Sequence, residues 1–326
     1  MEKGIIKPRR LEHGDKVAII SPSSIVVSDR ELELGMDTLR SLGFDPVRSK
    51  NALKSRFNFQ AGTPQQRLSD LHWAFSNRSI KGIFCSTGGY SSIDLLSNID
   101  WGLIKKNPKI FVGYSDITTL LNPIHDRTGL ITFHGPIIEG LNGMHKRQGK
   151  YTLQNMVKAI SGGVEEKMPS YTEWRVLKKG VAEGALVGGN LNILMSLIGT
   201  PYEPKWDGKI LFWEEVDDTI EGFYNYLIRM RIVGIFNKIS GMMIGKITNL
   251  QSIDDEDENP KRFEHSPLVS KMILYATRGY KFPILYDVDF GHDVANLTLP
   301  IGVRARLECP VVDRVGSLAL IEKYLR

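Results

Sequence analysis

The first half of the chain alternates between two hydrophobic periods. Short apolar runs, KVAIIS at residues 16–21, KGIFCS at 81–86 and IFVG at 110–113, have the length and composition of buried strands. Between them the apolar positions fall at helical spacing. Leu32, Met36, Leu39 and Leu42 follow the capping signature Ser28-x-x-Glu31 and stop at Gly43. Leu68, Leu71 and Phe75 follow Thr63-Pro64-Gln65-Gln66, which joins an N-cap, a proline at the first helical position and a glutamine three residues on. A short helix starts near Ser91. Strands alternating with helices predict right-handed βαβ crossovers and a parallel sheet.

The pattern dissolves over Gly162–Pro169 into polar sequence containing glycine and proline. This predicts an N-terminal α/β domain over 1–165, a linker over 166–182 and a C-terminal domain over 183–326. The second half resumes with LVGGNLNILMSLIG (186–199), strand KILFW (209–213) and a helix from Thr219 to about Val233. Strand GMMIGKI (241–247), a helix from Ser266 and strand PILYDV (283–288) follow.

Composition narrows the partners. The net charge of +5 comes from scattered lysines and arginines with no long basic run, which describes a solvated surface and no nucleic-acid partner. The acidic run Asp254–Glu258 reads as an exposed loop. Cys85 and Cys309 are the only cysteines and have no CxxC spacing, so a disulfide framework and a zinc site are not expected, and a reducing, cytoplasmic compartment is. No segment of about 18 apolar residues exists and the N-terminus lacks an apolar signal core, so no membrane partner is expected. No His/Asp/Glu cluster has ligand spacing; neither a metal nor a cofactor is predicted.

Candidate chemistry gathers where strands end. KIFVGYSD (109–116) closes a buried strand on Ser115 at the mouth of a helix, where ligands bind in open α/β sheets and the helix N-terminus favours developing negative charge. Gly113-Tyr114-Ser115-Asp116-Ile117 meets half of the nucleophile-elbow pattern G-x-S-x-G and lacks its second glycine; a capping serine is the plainer alternative. Gly88 and Gly89 follow another buried strand. They could turn N–H groups toward an oxyanion, with Asp116 supplying a second donor, or serve only as a turn. Of the seven histidines, His292 in DVDFGHD occupies a loop position suited to a base. His134 in TFHGP also ends a strand and is a candidate to line the site, whereas His125 lies too far along the helix that Ser115 opens. His72, His145 and His265 read as bland. Glu214 and Glu215 end an apolar strand, and either could orient an imidazole; capping the following helix is the alternative.

Taken together, SPSS (21–24), TGGYSSIDLL (87–96), VGYSDIT (112–118), TFHGP (132–136), GGNL (188–191), ILFWEEVDD (210–218) and DFGHD (289–293) resemble, in order, the LD-carboxypeptidase family of serine peptidases, which includes the microcin C immunity peptidases. The resemblance implies a flavodoxin-like parallel sheet in the N-terminal domain, a smaller C-terminal α/β domain and an active site in the cleft between them. It places the nucleophile on Ser115, the orienting carboxylate on Glu214 and the base on His292, with backbone donors from Gly89 and Asp116. It makes a small peptide or peptide-nucleotide the partner and a homodimer plausible. Many members that trim murein peptides carry an arginine where Thr87 stands, and GIFNKISGMMIGK (234–246) looks more like the immunity branch, so a peptidyl or aminoacyl nucleotide is the favoured substrate and a murein tetrapeptide the alternative. Trp174 is the candidate aromatic for a nucleobase, with a packed loop residue as its plainer reading. Two rivals stand beside this reading: a Cys85 nucleophile on an amidotransferase-like fold, and an inactive binding protein.

Overall fold

The computed structural model describes residues 4–141, 147–163, 166–252, 263, 266–292 and 295–326. The acidic run Asp254–Glu258, His145, His265 and the predicted boundary at Glu165 lie outside them. Five strands, β1 (Lys16–Ile20), β2 (Asp45–Arg48), β3 (Ile80–Cys85), β4 (Ile110–Gly113) and β5 (Thr132–His134), form a parallel sheet in the order β2-β1-β3-β4-β5. That order is the flavodoxin-like one, with its switch point between β1 and β3. Helices α1 (Asp29–Ser41), α2 (Pro64–Ser76), α3 (Trp101–Lys106), α4 (Thr118–Thr128) and α5 (Arg147–Ser161) belong to this half. The start signals act as their chemistry requires: the Ser28 side chain accepts the Glu31 N–H, and Thr63 and Gln66 form a complete capping box.

The second sheet contains β6 (Glu166–Lys167), β7 (Arg175–Lys178), β8 (Gly180–Asn190), β9 (Ile210–Val216), β10 (Gly241–Thr248) and β11 (Ile284–Tyr286). It is completed by β13 (Arg304–Cys309) and β14 (Ser317–Leu320), while β12 (Leu299–Ile301), between β11 and β13 in the chain, joins the first sheet. The order is β6-β14-β13-β8-β9-β10-β11-β7, with β8 to β11 parallel. Helices α6 (Leu191–Leu197), α7 (Ile220–Ile232), α8 (Ile235–Lys238) and α9 (Pro267–Ala276) complete this half. Among the described residues no helix is long and apolar enough to cross a membrane.

Strand pairing crosses the predicted boundaries in two places. Residues 166–182 are not a linker: they carry β6, β7 and the start of β8, which pair into the second sheet. Their glycines and charged residues mask these strands in the sequence, although burial alternates at the start of β8. The C-terminal half also does not stand apart, because β12 pairs antiparallel with β5 along Leu299–His134 to Ile301–Thr132. One hydrophobic cluster runs from Val17 and Phe111 through Phe212 and Met243 to Leu318, so both sheets share a core.

The loops after β1 and β3 are held together by a buried cation. Arg67 on α2 donates Nη1 to the Pro22 and Ser91 carbonyls at 2.9 and 2.6 Å, and Nη2 to both oxygens of Asp94 at 3.0 and 2.8 Å. Its side chain is fully buried. Arg67→Ala strands two carbonyls and a carboxylate at once, and should cost about 3 kcal/mol of stability by urea denaturation with an unchanged m-value.

Candidate active site

Ser115 leaves β4 with φ +59°, a left-handed conformation that costs a non-glycine residue on the order of 1–3 kcal/mol. It opens a short 3-10 turn, Ser115–Ile117, that runs straight into α4. Neither turn nor helix carries a side-chain cap, so the hydroxyl is not spent as the capping serine that the sequence also allowed. The missing second glycine has a steric explanation. A Cβ built on Gly113 would meet Ile117 Cγ2 at 2.8 Å, so one glycine makes the room and Ile117 fills it.

The glycine pair after β3 passes against the serine. A Cβ on Gly88 would lie 2.8 Å from Ser115 Cβ and 2.9 Å from its Oγ. Gly89 has φ +124°, and a Cβ there would strike Ser24 Oγ, so a side chain is excluded twice over. The Asp116 side chain turns away from the serine. Its buried carboxylate accepts the Ser23 hydroxyl at 2.5 Å and the Ser92 N–H at 2.8 Å, fastening both neighbouring loops to the elbow.

From the second sheet come an imidazole and two carboxylates. His292 Nδ1 lies 2.8 Å from Glu214 Oε2, and its ring packs on Tyr114 with centroids 4.7 Å apart. Glu214 is fully buried on β9 while His292 is 18% exposed, so the carboxylate stands behind the imidazole. Burial alone would raise the Glu214 pKa; the charge and hydrogen bond of His292, with the nearby His134 and Asn190, turn the net shift downward. The strand continues through Val216, so Glu215 serves different partners: Asn192 N–H at 2.7 Å, Val216 N–H at 2.9 Å and Asn190 Nδ2 at 3.3 Å. Burial, then the charge of Glu214, pushes Glu215 up to about 8.

A cavity of about 130 Å³ collects these groups, lined by Gly89, Tyr90 and Ser115 on one side and by Asn190, Asn192, Glu215 and His292 on the other. A larger cavity of about 440 Å³ lies against α7 and α9, where Ser252 donates to Glu221 at 3.2 Å but no histidine stands among the described lining residues. Chemistry, not size, selects the site.

Two sequence-predicted site residues fall elsewhere. His134 is wholly buried at the end of β5, edge-on to Phe212 and Phe290 at 5.4 and 6.0 Å, and does not line the cavity. Burial pushes it down to about 4, so it is a neutral ring behind the site. Trp174 is 1% exposed, and its indole N–H donates to Asp289 Oδ2 at 2.7 Å; it is a packed aromatic, not a cavity wall. Cys85 is also fully buried, and burial raises its thiol pKa far above the usual range, so it is an inert thiol rather than a nucleophile. Asn190, Asn192 and Tyr114 carry no role in the sequence reading, although Asn190 belongs to the GGNL motif and Tyr114 to the elbow itself.

An elbow serine beside a carboxylate-held imidazole, on a flavodoxin-like sheet, defines a serine-type hydrolase site. The models for the LD-carboxypeptidase N-terminal and C-terminal domains match residues 17–135 and 183–307, and the chain belongs to the LD-carboxypeptidase family. It is an enzyme of the carboxypeptidase class. A probable murein peptide carboxypeptidase of Bacillus subtilis (strain 168) is 34% identical over 98% of this chain and 97% of its own. The solved structure of the microcin C7 self-immunity protein MccF in complex with aspartyl sulfamoyl adenosine superposes with TM-score 0.88 at 26% identity, over 98% of this chain and 100% of that one. A muramoyltetrapeptide carboxypeptidase from Oxalobacter formigenes superposes at TM-score 0.79 and 25% identity, over 95% and 100%.

The raised Glu215 carboxyl has a measurable sign. The native group holds its proton up to about 8, whereas an unfolded glutamate releases it near the ordinary value of 4.5. Between those limits the native state binds more protons, so stability falls as pH rises. Glu215→Gln removes that slope. In chemical denaturation at pH 5, 7 and 9, the variant should gain on wild type with each step up in pH.

Proposed function

We propose that the cavity cleaves an amide bond through an acyl-enzyme, with Ser115 as nucleophile, His292 as general base and Glu214 as its orienting carboxylate. The observation that carries this reading is the convergence of an elbow serine from one sheet and the Glu214–His292 pair from the other on a single cavity. With Nδ1 engaged by Glu214, Nε2 is the nitrogen that takes the proton of Ser115 Oγ as that oxygen attacks the carbonyl carbon. The carbonyl oxygen becomes an oxyanion, held by the backbone N–H groups of Gly89 and Asp116. The imidazolium then protonates the leaving nitrogen, the C–N bond breaks and an ester to Ser115 remains. Water, deprotonated by the same imidazole, attacks the ester and returns the serine.

For the substrate, we infer a peptidyl or aminoacyl nucleotide. The structural likeness is higher to MccF holding aspartyl sulfamoyl adenosine than to the muramoyltetrapeptide enzyme. A second reading, release of the terminal residue of a murein tetrapeptide, is favoured by the 34% identity to the Bacillus subtilis relative. The buried position of Trp174 leaves the nucleotide reading without its expected stacking aromatic.

Purified protein is incubated with a murein tetrapeptide and with an aminoacyl sulfamoyl adenosine, and products are read by mass spectrometry. Wild type should cleave the adenylate; cleavage of the tetrapeptide alone replaces this assignment with the second reading. Ser115→Ala should lose on the order of 10⁶-fold in kcat, and Glu214→Gln on the order of 10⁴-fold, on whichever substrate is cut. A Ser115→Ala variant as fast as wild type would remove the nucleophile assignment.

A further inference from the structure

Asp289 is the most heavily bonded carboxylate near the cavity, and the reaction proposed above makes no use of it. It is wholly buried. Its Oδ2 accepts the Tyr171 N–H at 2.6 Å, the Thr172 N–H at 3.0 Å and the Trp174 indole N–H at 2.7 Å, and its Oδ1 accepts the Thr172 hydroxyl at 2.5 Å. The only cation facing it among the described residues, Lys246, lies 3.7 Å from Oδ1 and is itself bonded to Thr172 Oγ1 and to the Asp287 carbonyl and carboxylate at 3.1, 2.8 and 2.8 Å. All four donors belong to residues 171–174, a segment crossing between β6 and β7 whose Thr172 and Glu173 are exposed. On its inner side this segment is gripped by one side chain.

That side chain stands three residues before His292. The backbone around it is equally determined. The Asp289 carbonyl accepts the Leu297 N–H at 2.7 Å, closing the loop, and the Phe290 carbonyl accepts the Lys246 N–H at 2.8 Å. Gly291 then passes so close to β9 that a Cβ there would lie 3.1 Å from Glu214 Cβ. Residues 289–291 are therefore held between the 171–174 segment on one side and Glu214 on the other. A carboxylate lost at Asp289 leaves four donors competing for other acceptors and loosens the 171–174 segment from the chain that leads into His292.

We propose that Asp289 is a positioning residue: it clamps the 171–174 segment to the His292 loop and so fixes the imidazole against Glu214. The proposal rests on the reading of His292 as the base. It also assigns Trp174 a task, as one of the donors that hold Asp289, in place of a contact with substrate. Outer partners of this kind change activity by about ten- to a hundredfold when removed, because a small displacement of the reacting groups suffices.

The test compares wild type with Asp289→Asn, Thr172→Val, Trp174→Phe and His292→Ala on the substrate that wild type cleaves. For each, kcat and KM are measured separately, with the pH profile of kcat/KM, thermal unfolding and the NMR titration of the His292 imidazole. Asp289→Asn should lower kcat about ten- to a hundredfold with KM changed less than about twofold, and should displace the His292 titration. Thr172→Val and Trp174→Phe, each removing one donor, should do the same to a smaller degree while remaining folded. A folded Asp289→Asn with wild-type kcat and an unmoved His292 titration overturns the proposal. So does a Trp174→Phe variant that raises KM at constant kcat, which would make Trp174 a substrate contact. Wild-type turnover by His292→Ala instead removes the underlying reading of the base, an outcome separate from either.

Discussion

The geometry of the cavity depends on how one helix is docked. α4 begins at the serine elbow of the first sheet, yet it is fastened to β8 of the second. Asn122 on α4 pairs its side-chain amide with the backbone of Gly188, accepting the N–H at 3.2 Å and donating to the carbonyl at 2.9 Å. One turn earlier, Thr118 Oγ1 accepts the Asn190 N–H at 3.1 Å. All of these groups are buried, so each unmade bond would cost far more than it does in water. β8 lies beside β9 with Asn190 opposite Glu214. The serine and the carboxylate–imidazole pair thus share one rigid frame although Glu214 lies 99 and His292 177 positions beyond Ser115, and the usual freedom of two lobes to rock is much reduced.

The same frame separates two adjacent carboxylates into opposite states. Glu214 and Glu215 are both almost fully buried, and two neighbouring charges in so dry a place would repel strongly. Alternation along β9 resolves the conflict. Glu214 faces an imidazole that favours its ionised form, while burial and the charge of Glu214 push Glu215 up to about 8 against the opposing pull of the Asn192 and Val216 N–H groups. His134, pushed down to about 4 behind the same strands, adds a neutral ring and no competing charge. The one carboxylate held firmly ionised by an imidazole is the one paired with the histidine on the cavity wall.

Much of the fold was legible in the sequence. Strand ends and helix caps are local signals, and Ser28, Thr63 and Ser266 each cap the helix that they announce. Ser115, Glu214 and His292 stand in segments that are individually ordinary and collectively distinctive. What stayed hidden was decided by tertiary contact. A tryptophan in a polar loop looks available, and only the fold reveals that its N–H is already engaged by Asp289, 115 positions further along. A histidine closing a strand looks like a wall residue until two phenylalanines are found against it. β6, β7 and the start of β8 fell within the predicted linker because the glycine, proline and polar residues of 162–169 signal a break, yet β7 is an edge strand, and edges tolerate charge. Arg67 and Asn122 carried no signal at all: a polar residue on a helix reads as solvated until its buried partners are known.

The path of β12 bears on how the protein comes into being. After contributing His292, the chain crosses back to pair with β5, so the first sheet gains its last strand only from residues 299–301. A nascent chain leaving the ribosome carries its serine early, on a sheet still missing an edge and facing no imidazole. Contacts of such long sequence separation form late and slowly. A chain cut before residue 299 would leave β5 as an open edge whose unpaired N–H and C=O groups invite pairing with another chain.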